Sequence, residues 1–175
     1  IFFVLTACAS SRPQATNLSP EAQVIAASLQ RYISELALER THPLLLLDHT
    51  DPWLPSPPRF DAEFPESLIP GVPFDLVPNL RAANAAPAPL PPGIRHARLK
   101  LFSSTSFSQA YGAEADLKAL AKRLGGLPLV VSFGYPYVDS ERGAALVAVH
   151  SLSSWSGCGS VSLYGLQLRA GEWVI

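Results

Sequence analysis

The sequence predicts an α+β fold: an antiparallel C-terminal sheet packed by a long N-terminal helix and a short second helix, with a Pro-rich irregular segment. Three observations predict it. Apolar residues recur at helical spacing from Ala22 to Leu36. Short apolar or alternating runs fill the chain from Ala97 to Ile175. Between these blocks, 12 of the 17 prolines fall from Pro52 to Pro92, where ladder-forming strands are nearly excluded. Helical and strand patterns that segregate along the chain belong to α+β folds. At 175 residues, a single domain is expected.

Ser19-Pro20-Glu21 reads as a helix start. Ser19 suits the N-cap, Pro20 the first helical position, and Glu21 the positive end of the helix dipole. Ala22, Ile25, Leu29, Tyr32, Ile33 and Leu36 then form one stripe, with Gln23, Gln30, Arg31 and Glu35 mostly opposite. The helix is expected to reach about Arg40, where His42-Pro43 stops it. Leu44 to Leu47 reads as a short buried strand. From Pro52 the chain is expected to wrap over the domain irregularly, with one short helix near Phe74 to Ala85. Ala86 to Pro92 should be polyproline-like.

Further on, Ala97, Leu99 and Leu101 alternate with Arg98 and Lys100 as a half-buried strand. Ser103 to Ser108 reads as a hydroxyl-rich loop. Glu114 to Leu124 is a short helix, acidic early, basic late, and stopped by Gly125-Gly126. Leu117, Leu120 and Leu124 line one face. Val131, Phe133, Tyr135 and Tyr137 alternate along one strand. Ala144 to Leu152 is β-rich, and Val161 to Leu168 pairs with Trp173 onward through the turn at 169–172.

Composition excludes several classes. Nearly half the residues are hydrophobic (48%) and 15% are charged, unlike a disordered chain. A net charge of -1 makes no electrostatic case for nucleic acid. No apolar run reaches the roughly 18 residues of a membrane-spanning helix. Two cysteines are too few for a disulfide scaffold.

The N-terminal residues carry the most specific motif. Ile1 to Leu5 is apolar, with no basic residue before it, and is expected to be the remnant of a signal-peptide h-region. Leu5-Thr6-Ala7-Cys8 follows: a large aliphatic residue, two small ones and a cysteine. This order, at the end of an apolar run and before a small, polar stretch, resembles the lipobox of bacterial lipoproteins. The resemblance implies that Cys8 receives a diacylglycerol and that cleavage falls just before it. Residues 1–7 would then be signal-peptide remnant, 8–18 a lipidated tether, and 19–175 the folded domain. Ala9, in place of a retention aspartate, favours the outer membrane. The C-terminal part has a second likeness. Ala145 to Val149, Gly157-Cys158-Gly159, Leu163-Tyr164 and Gly171-Glu172-Trp173-Val174 resemble the close of uncharacterised secreted bacterial proteins. That resemblance implies a second cysteine in the loop, which here holds Trp155 and Ser156 beside a lone Cys158.

Candidate chemistry is sparse. Asp48, His49 and Asp51 cluster without a zinc-site spacing, and on a strand Asp48 and His49 point to opposite faces. A strand end and turn is the simpler reading. Cys158 and His150 suggest a thiol and its base, brought to one end of a hairpin but with no third group in view. No Gly-x-Ser-x-Gly elbow and no phosphate loop occurs. Trp53, Trp155 and Trp173 are candidates for an aromatic patch, Trp173 being better read as core.

The expected function is therefore a lipid-anchored protein of the bacterial envelope, with a binding or scaffolding domain that needs no cofactor or metal. Its partners would be the membrane, through Cys8, and an envelope protein, a peptide or a cell-wall ligand, not nucleic acid. The rival is a secreted hydrolase using Cys158 and His150, or Asp48, His49 and Asp51. A gene fragment without activity is a third reading.

Overall fold

Helix formation begins where the capping chemistry lies. Ser19 Oγ accepts the Ala22 N–H at 3.3 Å, and the Gln23 side chain donates to the Leu18 carbonyl at 2.9 Å. The first bond satisfies one of the unpaired N–H groups at the helix start, and the second ties the preceding carbonyl to the first turn. The resulting helix α1, Pro20–Glu35, buries Val24, Ile25, Leu29, Tyr32 and Ile33. The computed structural model describes residues 18–35, 43–50, 75–96, 99–111, 114–153 and 159–175. Leu36 and Arg40, at the expected end of this helix, lie outside the described residues, as does the first part of the proline-rich segment.

After α1 come β1 (Leu44–Leu47), α2 (Leu76–Ala83), β2 (Leu99–Phe102), α3 (Ser104–Tyr111) and α4 (Glu114–Leu124). Strands β3 (Leu129–Phe133), β4 (Tyr137–Asp139), β5 (Ala144–Ser153), β6 (Gly159–Arg169) and β7 (Glu172–Val174) complete the described elements. The fold is α+β, and its 7-stranded sheet runs β2-β1-β3-β5-β6-β7, with β4 paired to β5 beside β3. The C-terminal strands are antiparallel as expected: Phe133 faces Val149, Val147 faces Tyr164, and Leu168 faces Trp173. The sheet as a whole is mixed, because β1 is parallel to both neighbours. Leu44 aligns with Leu99 on one side and with Leu129 on the other.

The four leucines of β1 now have a cause. A strand inside a sheet covered on both sides needs apolar residues at every position. Leu44 and Leu46 join the large core under α1, which includes Val131, Phe133, Val147, Val149, Leu166 and Trp173. Leu45 points to the opposite face, against Phe107 of α3, Leu120 of α4 and Val130. On that second face α2 covers Leu146 and Ala144. Trp173 is thus a core residue. Tyr164 ties α1 to β6: its hydroxyl donates to Glu35 at 2.8 Å, and Glu35 also pairs with Arg31 at 2.7 Å. Burial, then the Glu35 carboxylate, pushes the Tyr164 phenol above its ordinary range, so it stays a donor.

Four sequence expectations are corrected. Ser103 to Ser108 is not a loop but the start of α3. Ser103 is its cap, the carbonyl accepting Phe107 N–H at 2.9 Å and Oγ accepting Ser106 N–H at 3.3 Å. Hydroxyl residues disfavour helix interiors locally, and burial of Phe107 against the sheet outweighs that preference. Leu101 is 67% exposed, so among the described residues the half-buried pattern expected of Ala97, Leu99 and Leu101 holds at Leu99 and fails at Leu101, while Ala97 and Arg98 lie outside the described residues. β2 is an edge strand, and α1 lies chiefly over β4, β5 and β7. Residues 86–92 do not run as an independent polyproline segment. Thr50 N–H donates to Ala88 O at 2.7 Å and Leu90 N–H to Asp48 O at 2.9 Å, making an antiparallel bridge beside His49 and Pro89.

The fourth correction concerns the alternation from Val131 to Tyr137, which is split into β3 and β4. Asn84, just after α2, enters the break. Its side-chain amide donates to Leu80 O and Tyr135 O, both at 2.8 Å, and its Oδ1 accepts the Tyr135 N–H. One buried amide thus stands in for a missing ladder partner. A β-carbon at Gly134 would lie 3.0 Å from Asn84 Oδ1, so this glycine lets the amide in. No helix among the described residues is long and apolar enough to cross a membrane.

Candidate functional site

The order β2-β1-β3 carries a topological consequence. The chain leaves β1 for β2 on one side, then passes back by way of α3 and α4 to β3 on the other. In open sheets with parallel strands, such a reversal opens a crevice at the carboxyl ends of the strands. A cleft of about 660 Å3 lies there. Leu47, His49 and Thr50 line it from the end of β1, and Ser104, Thr105, Ser108 and Gln109 from α3.

Asp48 organises this end. Its Oδ1 accepts the Ser104 N–H at 2.8 Å, the Ser104 hydroxyl at 2.8 Å, and His49 Nδ1 at 2.9 Å. Ser104 Oγ in turn accepts the His49 N–H at 3.2 Å. The chain bends out of β1 at Asp48, so the carboxylate and imidazole meet. The opposite-face placement expected for a regular strand is thereby corrected. The His49 hydrogen bond, followed by the Ser104 backbone bond, holds the Asp48 carboxyl down to about 2.

In a serine hydrolase the hydroxyl proton goes to an imidazole nitrogen that the carboxylate orients. Here the Ser104 proton points at the carboxylate itself. A carboxylate so acidic is a weak base at neutral pH. Among the described residues there is no group of three or more His, Cys, Asp and Glu side chains placed to hold a metal. Asp51 lies outside the described residues, so the Asp48, His49 and Asp51 cluster is described for its first two members only.

His150 sits on β5, buried, opposite Ser132 of β3 and Val161 of β6. The hairpin of β5 and β6 has formed as expected, with Leu152 facing Gly159. Cys158, Trp155 and Ser156 lie outside the described residues, as do Trp53, Cys8 and the whole lipobox. Ser104, Thr105, Ser108 and Gln109 have no local pattern that marks them as site residues, because their hydroxyl-rich stretch favours a loop. The legible signal was Ser103 followed by Phe107, a cap and a buried anchor four residues apart.

The Asp48 network makes a pH prediction. Its carboxyl is depressed in the folded state, so the stability it contributes is present above about pH 4 and is lost as pH falls from about 4 towards 2. With a third of the side chain exposed, solvent screening limits the contribution to about 1 kcal/mol. Denaturant unfolding of Asp48→Asn should show a smaller loss between pH 5 and pH 2.5 than the parent shows. Equal losses would mean that Asp48 is not coupled to folding.

No protein-family model, curated protein or solved structure matches this chain.

Proposed function

We propose that the chain is a lipid-anchored bacterial envelope protein whose α+β domain binds a ligand at the carboxyl end of β1 and carries out no reaction on it. The anchor reading rests on Leu5-Thr6-Ala7-Cys8, an aliphatic-small-small-cysteine order between an apolar run and a small polar stretch. The observation that carries the binding half is the convergence of three donors on Asp48 Oδ1. Its contacts with Ser104 and His49 brace one wall of the cleft, and the Ser104 hydroxyl donates to the carboxylate, not to an imidazole. Clefts with a braced polar rim at strand ends are common ligand sites.

Membrane fractionation tests the anchor. Stable anchoring takes two or more acyl chains, which a lipidated Cys8 supplies in this family. In protein expressed from its complete gene, Cys8→Ser should move the protein from the membrane to the soluble fraction. The parent's intact mass should exceed that of its polypeptide by the lipid. Circular dichroism should be the same for both proteins, since the domain begins after the tether. Retention of the serine variant on membranes, with neither protein heavier than its polypeptide, would end the proposal.

A further inference from the structure

The second face of the sheet holds another cavity, of about 500 Å3, under Phe107 and Ser108 of α3. Its walls are largely apolar, from Leu47, Val130, Leu152 and Val161. Ser132 and His150 stand among them, as direct cross-strand partners. Both are buried, on a face otherwise packed with leucine, valine and phenylalanine. Buried polar residues beside a cavity are more informative than the apolar ones around them.

This chamber adjoins the cleft at the end of β1, because Leu47 and Ser108 line both. The two differ in chemistry. The outer cleft presents the exposed hydroxyls of Thr105 and Ser108, the Gln109 amide and the His49 imidazole, while the Ser104 and Thr50 hydroxyls in its wall are held by Asp48 and by the Ala88 N–H. The inner chamber has apolar walls from Leu47, Phe107, Val130, Leu152 and Val161, interrupted by the Ser132–His150 pair. Among the described residues, neither is lined by Lys, Arg, Asp or Glu. The His49 imidazole on the outer rim already meets the Asp48 carboxylate, so an ionic ligand would give up hydration without gaining an unpaired charged partner. Hydroxyl and amide groups instead match an uncharged, hydroxylated head, and the apolar walls match a hydrocarbon chain.

We infer that the two cavities together hold one uncharged single-chain amphiphile, its hydroxylated head in the outer cleft and its chain in the inner chamber. This rests on the binding reading proposed above, and it names the ligand class and adds the second compartment. Ser108, at the junction, sets the passage between the two.

Calorimetric titration below the micelle concentration tests it on the intact domain, with alkyl glucosides as probes. Decyl glucoside should bind about tenfold more tightly than octyl glucoside, the effect of burying two further methylenes. Decanoate and decyltrimethylammonium, of equal chain length, should bind at least tenfold more weakly than decyl glucoside. Ser108→Trp places a large ring at the junction from an exposed position. It should weaken decyl glucoside at least tenfold while leaving the unfolding midpoint unchanged. Val161→Trp, which fills the chamber, should remove the dependence on chain length. If it fails to fold, the Ser108 variant decides alone.

Binding of the charged probes as tight as that of the glucoside would overturn the inference, as would an unchanged affinity in Ser108→Trp. Methyl glucoside binding as well as the decyl compound would overturn it too, while sparing the outer cleft as a site. Failure of every probe would remove the amphiphile. The Cys8→Ser fractionation would still report separately on the anchor.

Discussion

Leu29→Ala is expected to destabilise the domain by about 2–5 kcal/mol, the range for truncating a fully buried leucine. Leu29 is 1% exposed and lies in the core that α1 shares with Leu44, Leu46, Val131, Phe133 and Val147. The loss has two parts, the transfer of the removed carbons and the cavity left behind. The sheet beneath is paired on both sides of β3 and β5, so it has little freedom to close the gap. Arg31→Ala, on the exposed side of the same helix, should cost far less, because a surface ion pair contributes little. Chemical denaturation of the two variants checks the contrast. A loss below about 0.5 kcal/mol for Leu29→Ala, the size of a surface effect, would show that α1 does not dock as described.

Asn84→Asp should cost about 2–4 kcal/mol at neutral pH, through a buried unpaired acceptor and a desolvated charge. The substitution replaces the amide NH2 by an oxygen facing the Leu80 and Tyr135 carbonyls. Burial and those carbonyls would raise the new carboxyl above its ordinary value. With the folded value raised, the variant's relative stability is greatest below about pH 4 and falls as pH rises through that higher value. Asn84→Ala, which loses all three hydrogen bonds, should be destabilised at every pH. The measurement is the stability of each variant against the parent at pH 3.5 and pH 7. A deficit for Asn84→Asp that is the same at both would contradict the assigned role of the amide. Its position matters for the fold, since this one side chain holds α2 against the break between β3 and β4.

Local signals made α1, α4 and the β5–β6–β7 meander legible. Ser19-Pro20-Glu21 states its own helix start, and Ser19 does cap it. The turn between β6 and β7 states itself too. Ala170 and Gly171 both have positive φ, 51° and 84°, as a two-residue hairpin loop requires. Glycine there adopts that backbone freely, and the flanking alternation sets which face is buried. Such features depend on residues a few positions apart, so they can be read in order along the chain.

The sheet's mixed character and its cleft depended on pairings across long stretches of chain. Leu44 to Leu47 have no period that distinguishes a parallel partner from an antiparallel one. Their neighbours are Leu99 to Phe102 and Leu129 to Val131, far away in sequence. The same distance hid the site. Asp48 and Ser104 are 56 residues apart, and only the parallel register of β1 and β2 brings the carboxylate onto the first turn of α3. Read locally, the hydroxyls of Ser103 to Ser108 favour a loop. Burying Phe107 against Leu45 and Val130 makes them a helix and turns Ser104, Thr105 and Ser108 into the rim of a cleft. The amphipathic pattern along the chain thus determined which segments fold and which faces they bury. Which strands meet, and which polar groups thereby converge, was decided by packing energies that no single segment carries.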